Sequence, residues 1–204
     1  MNPAQQLATG LDELGLEIVA EIQAGLLHYV ELISKWNRVY NLTAIRDLPT
    51  MVSAHLLDSL AIATQMSGNA VRDVGSGAGL PGLPLAMIWP RSRITLLDSN
   101  QKKTTFLRQV CIELGLRNVE VVCARAESWQ PRLKYDLVVS RAFAELAEFI
   151  RVAAAHCNPT GLLAAMKGVL PVGELKAITP TAPKVIQLHV PGLNAERHLV
   201  LIKP

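Results

Sequence analysis

The spacing of apolar residues changes once along this chain, near residue 70, and that change limits the folds open to it more than any other feature. Before it, apolar side chains recur every three or four positions, at Leu26, Val30, Ile33, Trp36 and Tyr40 and then at Val52, Leu56, Leu60 and Ala63, which is the period of amphipathic helices. Asn41 and the Asp47-Leu48-Pro49-Thr50 stretch interrupt the pattern, with Pro49 or Thr50 suited to open the next helix. After residue 70, short β-branched runs alternate with helical stretches, the pattern of βαβ units around a parallel sheet. Strands are expected at Ala70–Val74, Arg93–Asp98, Val119–Cys123, Tyr135–Ser140, Leu162–Met166, Lys184–Val190 and His198–Lys203. Helices are expected near Pro81–Trp89, Gln101–Gly115 and Ala144–Cys157, with a shorter one after Pro171. Only Pro191 to Arg197 separates the last two strands, too little for a helical crossover, so they should form an antiparallel hairpin at the end of the sheet. The expected architecture is α/β, a mostly parallel seven-stranded sheet over residues 70–204 preceded by a helical extension over 1–69.

Composition narrows the class. Half of the 204 residues are hydrophobic and the net charge is only +3, the opposite of a disordered chain. No run approaches the ~18 uninterrupted apolar residues of a membrane-crossing helix. The N-terminal MNPAQQLATGLDELGLE carries acids where a signal peptide carries a basic region, so a cytoplasmic protein is expected. Cys111, Cys123 and Cys157 match no zinc spacing and are expected to be small buried apolar residues, and the five histidines show no paired ligand spacing; no metal is implied. The charge is unevenly placed: residues 1–69 hold three basic and seven acidic side chains, −4, which leaves +7 for the remainder. A basic portion of that size suits either a polyanionic partner or an ordinary soluble enzyme surface.

The chemistry-bearing segment is Asp73-Val74-Gly75-Ser76-Gly77-Ala78-Gly79-Leu80-Pro81-Gly82, which follows the first expected strand and opens a helix. Glycines there permit a tight turn and let main-chain N–H groups approach a ligand at the carboxyl edge of the sheet. Gly77, Gly79 and Gly82 also satisfy the GxGxxG pattern of nicotinamide-dinucleotide proteins, and Asp98, ending the second strand, suits a ribose in either case. Asp73, two residues before Gly75, and the terminal hairpin favour a Rossmann-like S-adenosylmethionine (SAM)-dependent methyltransferase fold, in which that acid lies near the methionine end. Ala124-Arg125-Ala126-Glu127 follows the third strand, where such folds contact the adenine, and Ser140-Arg141-Ala142-Phe143-Ala144 follows the fourth, facing the transferable methyl. Gly77, Gly79 and Asp98 are assigned to the cofactor on this fold-level argument. Arg141 serves the site or a structural ion pair.

Several separate blocks resemble one family: Lys35-Trp36-Asn37, Tyr40-Asn41-Leu42-Thr43-Ala44, His55-Leu56-Leu57-Asp58-Ser59-Leu60, Asp73–Pro84, Leu96-Leu97-Asp98-Ser99, Ser140–Ala144, Met166-Lys167-Gly168 and Glu196-Arg197-His198-Leu199-Val200. Together they span about residues 25–203 and are similar to the RsmG (GidB) family, bacterial enzymes that methylate guanine N7 in 16S ribosomal RNA. The chain departs from the family at Asn100, where a glycine is usual and where asparagine tolerates the same left-handed backbone, and at Ser76, where threonine is frequent.

The resemblance implies a SAM-dependent 16S rRNA guanine-N7 methyltransferase with cofactor contacts at Gly75, Leu80, Ala126, Glu127 and Arg141. It also implies 16S rRNA or the small ribosomal subunit as partner, an assembly intermediate included; no membrane partner is expected from the apolar runs, and a monomer is the default expectation. Lys102, Lys103, Arg125, Lys167 and Arg197 are expected to bind RNA with Arg141, and Phe143 or Tyr40 to stack on the target base. Catalytic roles are expected at Arg141, which orients RNA or SAM, and at Asn41 and Asp58 near the guanine edge. For His55 and Asp58, three apart on a helix, a hydrogen-bonded pair on the helix surface is the competing reading. The competing functions are an NAD(P)-binding oxidoreductase and a SAM methyltransferase acting on another RNA.

Overall fold

The computed structural model describes residues 2–141, 143, 145–178 and 182–204. Ala142 and Ala144 of the Ser140–Ala144 block, and with Ala144 the expected start of a helix, lie outside the described residues. Seven strands, β1 (Ala70–Val74), β2 (Arg93–Asp98), β3 (Val119–Cys123), β4 (Tyr135–Arg141), β5 (Cys157–Lys167), β6 (Lys184–Leu188) and β7 (Arg197–Ile202), form one sheet in the order β3-β2-β1-β4-β5-β7-β6. β1 to β5 are mutually parallel, and β7 runs antiparallel to both β5 and β6.

The expected antiparallel hairpin is present, but β7 does not end the sheet. It is inserted between β5 and β6, because His198–Ile202 is buried throughout and suits an interior strand, whereas Lys184 and Gln187 of β6 are exposed and suit an edge. β5 also starts at Cys157 rather than Leu162. Tyr135 pairs with Cys157 and the register then shifts before Leu137 pairs with Leu162, so Asn158-Pro159-Thr160-Gly161 is an irregularity inside the strand where its residue types suggest a loop.

Helices cover both faces. On one lie α1 (Pro3–Glu13), α2 (Ala20–Tyr40), α5 (Gly82–Ile88) and α6 (Gln101–Glu113), whose buried side chains share a core with Val71, Ile94, Leu96, Leu137 and Val139 of the sheet. On the other, α7 (Leu146–Ala153) packs Leu146 and Phe149 with Val138, Leu163 and Val200, joined by Ile178, which follows α8 (Val172–Ala177). α1, unannounced by the apolar period, is nucleated by a capping box in which the Asn2 side chain accepts the Gln5 N–H and the Gln5 side chain accepts the Asn2 N–H. Among the described residues no helix is long and apolar enough to cross a membrane.

The segment expected as one regular helix over Val52–Ala63 is not regular. α3 (Leu48–Met51), capped by Asp47, leads into a π-helical stretch over Val52–Leu57 and a final turn, α4 (Asp58–Leu60). All six π-helical residues are buried. Wider helical turns of this kind recur at functional sites. Of the three cysteines expected to be buried, only Cys157 is; Cys111 on α6 is half-buried against the core, and Cys123, ending the edge strand β3, is exposed.

Candidate functional site

β1 delivers the glycine loop at the carboxyl edge of the sheet. Gly75 stands at φ +71°, a backbone conformation L side chains rarely adopt, and a Cβ added there would meet no atom within 4 Å. That open space belongs to two neighbouring hollows, both walled by Gly75. The first is bounded by Val74, Leu97, Asp98, Ala124–Glu127 and Phe143; the second by Leu42, Thr43, Ser76–Ala78, Leu80, Lys103 and Arg141.

Asp98 ends β2 with both carboxylate oxygens anchored, Oδ2 accepting from the Gly77 N–H at 2.9 Å and Oδ1 from the Asn100 N–H at 2.8 Å. Each oxygen keeps a further lone pair for a ligand hydroxyl. Asn100 itself is extended at φ −89°, not left-handed as expected, because its side chain caps α6 by accepting from the Lys102 and Lys103 N–H groups. A glycine cradle, a ribose-competent acid and an apolar wall of Leu97, Ala126 and Phe143 fit an adenosyl ligand carrying a methionine tail. Gly79, expected at the cofactor, faces protein instead: a Cβ there would stand 2.4 Å from Leu83 Cδ1.

Asp73 lies under this loop, fully buried. Its Oδ2 accepts from the Gly82 N–H at 2.9 Å, while Oδ1 has no partner. Burial pushes its carboxyl up to about 7, against the pull of the Gly82 hydrogen bond and the Arg141 charge. The loop is also held from the other side, where the buried Tyr29 hydroxyl of α2 donates to the Ala78 carbonyl at 2.6 Å. The turn carrying Arg125–Glu127 is tethered at Trp129, whose ring lies 5.0 Å from the guanidinium carbon of the buried Arg72.

Arg141, ending β4, borders the second hollow and a third one of about 350 Å³, whose other walls are Asp58, Met166, Lys167, Gly168 and Arg197. Its Nη1 donates to Asp58 Oδ2 at 3.2 Å and to the Ala54 carbonyl at 3.1 Å. Arg197, opening β7, donates from Nε to Asp58 Oδ1 at 2.7 Å. One buried carboxylate therefore clamps two guanidiniums from β4 and β7, the strands on either side of β5. Asp58 is 2% exposed and reaches this position from the turn that follows the π-helix.

His55 and Asp58 do not pair with each other, and neither is on the surface. His55 Nδ1 lies 3.0 Å from the Ala54 carbonyl, which only accepts, so Nδ1 carries the proton and Nε2 accepts from the Thr43 hydroxyl at 3.0 Å. Burial, reinforced by the Arg141 charge, lowers His55 to about 4. The unfolded chain binds this proton near pH 6.5 and the folded chain does not, so the stability contribution is complete above 6.5 and lost as pH falls toward 4. Acid unfolding should steepen in that window by about 3 kcal/mol in total, and His55→Gln should flatten it. An unchanged pH profile for the variant in chemical denaturation excludes this assignment.

Of the other expected site residues, Asn41 is exposed and caps α2 in the left-handed region at φ 49°. Thr43, two positions on, reaches the cleft, held by the buried Asn37, which donates from Nδ2 to the Thr43 carbonyl at 2.9 Å and accepts its N–H at 3.0 Å. Lys103 walls the second hollow, while Lys102 points from the first turn of α6 without bordering any of the three. Arg125 and Glu127 flank the first. Lys167 is engaged by Glu174 at 2.8 Å. Phe143 packs on Phe149 and walls the adenosyl hollow, and Tyr40 packs on Trp36, so neither ring faces the basic hollow. Asn37 and Tyr29 escape sequence reasoning because a buried polar residue within a helical apolar stripe has no distinctive spacing, and Thr43 because it is one polar residue of a short loop.

Comparison with known proteins follows the same lines. A family model described as "GidB: rRNA small subunit methyltransferase G" matches residues 22–200. A protein named ribosomal RNA small subunit methyltransferase G from Laribacter hongkongensis is 52% identical over 98% of each chain, and one of the same name from Neisseria meningitidis is 48% identical over 99% of each. Among solved structures, a SAM-dependent methyltransferase from Aquifex aeolicus superposes with a TM-score of 0.58 at 19% identity, covering 76% of this chain and 92% of that one. TrmN from Thermus thermophilus superposes at 0.57 and 22% identity, covering 82% and 53%. At those identities the structures establish the methyltransferase fold, and the sequence matches establish more: the chain belongs to the rRNA small subunit methyltransferase G family.

Proposed function

We propose that this protein transfers the methyl group of SAM to N7 of a guanine in the 16S RNA of the small ribosomal subunit, acting as a monomer in the cytoplasm on RNA, an assembly intermediate or the subunit itself. The observation that carries this reading is the position of Arg141, which walls both the glycine-loop hollow and the basic hollow. A methyl presented from one meets a base presented from the other beside that side chain.

SAM, when bound, supplies a methyl made electrophilic by its sulfonium. Gly75 makes room for it, Asp98 offers the ribose an acceptor, and Ala126 and Glu127 border the adenine end. Guanine N7 carries an in-plane lone pair, so its attack needs no deprotonation and no general base. His55 fits that requirement: it is neutral, and both its ring nitrogens are committed to Ala54 and Thr43. The chain's principal contribution is placement, which can be worth roughly 7–11 kcal/mol. Arg141 and Arg197 supply donors for guanine O6 or phosphate. Asp58, between them, offsets part of their charge and makes the hollow more tolerant of the cationic base that methylation produces.

The test is a map of N7-methylguanosine in small-subunit ribosomal RNA from a strain lacking the protein. One position should lose its methyl, and an unchanged map overturns the proposal. In vitro, S-adenosylhomocysteine at about 100 times its Kd should stabilise the fold by ~2.7 kcal/mol, and NAD should not.

A further inference from the structure

Seven large apolar side chains are exposed among the described residues, and three of them lie close together in sequence: Val169 at 75% and Leu170 at 40% in the loop after β5, and Val172 at 53% where that loop enters α8. The other four, Val19, Val39, Ile112 and Leu133, stand singly, as exposed apolar residues ordinarily do, whereas a cluster marks a contact surface. The loop leaves the carboxyl end of β5 directly after Lys167 and Gly168, two walls of the basic hollow.

Its base is fixed. Lys167 Nζ donates to Glu174 Oε2 at 2.8 Å across the loop, and the same oxygen accepts the Leu146 N–H at 2.7 Å, tying the loop to the start of α7. His198 Nδ1 donates to the Gly168 carbonyl at 2.7 Å, and the Leu175 N–H to the Pro171 carbonyl at 2.9 Å. An aliphatic tip on an anchored base is preorganised for insertion, since little of it remains to be ordered on contact.

Three aliphatic side chains cannot supply the roughly 800 Å² that a stable protein partner buries on each side. They are of a size to fill a gap in a base stack, as apolar wedges do in nucleic-acid-bending proteins. The neighbouring hollow carries the guanidiniums of Arg141 and Arg197 around one carboxylate, which suits phosphate beside such a gap. A guanine held in a helix or loop must leave its stack before N7 can meet a methyl donor inside a cleft.

Resting on the function proposed above, we propose that Val169, Leu170 and Val172 form a wedge that enters the ribosomal RNA beside the target guanine and occupies the space that base vacates on turning into the basic hollow. The tip then acts through RNA conformation and touches neither the methyl donor nor the reacting nitrogen.

The test uses the full chain with Val169→Ser, Leu170→Ser and Val172→Ser combined, leaving Lys167, Gly168 and Glu174 in place. The substrate is an rRNA fragment carrying the mapped guanine in its folded context, with 2-aminopurine at the adjoining position. Wild type should raise the 2-aminopurine fluorescence on binding. The triple variant should not, and its kcat/KM on this RNA should fall roughly tenfold or more, with S-adenosylhomocysteine affinity unchanged. On an unpaired oligonucleotide containing the same guanine, any wild-type activity should persist in the variant. Unchanged fluorescence and rate in the variant overturn the wedge, as does an equal loss on folded and unpaired RNA. A loss confined to assembled subunits overturns it too, pointing to a ribosomal protein at the loop. Failure of wild type to methylate any RNA refutes the proposed function instead.

Discussion

Asp58→Ala is expected to lower methyl transfer at saturating donor by about a hundredfold and to cost about 3 kcal/mol of stability, near the low end for a broken buried pair because each guanidinium keeps 25% side-chain exposure. The loss has two parts. Arg141 and Arg197 are left side by side with no carboxylate between them, so they repel, and the hollow they frame loses its shape. Charge then accumulates where a cationic base must form. Asp58→Asn separates the effects, since it keeps the volume and one acceptor while removing the negative charge. It should recover most of the stability and little of the turnover. Near-wild-type turnover for both variants, with unfolding followed in urea, excludes the clamp as a determinant of activity.

Gly75→Ala should act on a different quantity, the affinity for the methyl donor. An L residue held at φ +71° costs roughly 1–2 kcal/mol, and the added methyl projects into the space shared by the two hollows at the glycine loop. We expect S-adenosylhomocysteine affinity, measured by calorimetry, to fall by about two orders of magnitude, nearly 3 kcal/mol. The melting temperature of the ligand-free chain should fall by only about 2–6 °C. Gly79→Ala supplies the contrast: its Cβ would collide with Leu83 and Leu107, so it should lose stability first. Equal affinity losses for the two variants would remove the distinction between a glycine that makes room for a ligand and one that makes room for protein.

Much of this was legible before any coordinates. The βαβ alternation located the five parallel strands because strands buried on both faces appear as short apolar runs, with Val71, Ile94, Leu96, Leu137 and Val139 in the core on one face and Val74, Val138 and Leu163 in the core on the other. Strand order was less accessible: the antiparallel hairpin follows from the short Pro191–Arg197 connection, but its insertion with β7 inward depends on relative burial. The π-helical turn at Val52–Leu57 was out of reach, since its apolar spacing fits an ordinary helix. That turn carries the consequence that mattered most, because it sets Asp58 beneath Arg141 instead of on a helix surface beside His55. The basic residues were found by position, but their partners were not. Lys167 is paired with Glu174 across the turn that follows β5, and Arg197 with Asp58 across 139 positions, a separation that no local pattern encodes.

The place of β7 also bears on how the enzyme comes into being. Synthesis proceeds from the N-terminus at about 5–20 residues per second, so β1 to β6 emerge before β7, yet among the described residues β6 pairs in the sheet only with β7. β6 can therefore join the sheet only together with β7, as a hairpin whose inner strand pairs with β5. The same event brings Arg197 to Asp58. Without that hairpin Asp58 holds one arginine and the basic hollow lacks one wall, so the binding surface for the base depends on how β7 seats beside β5.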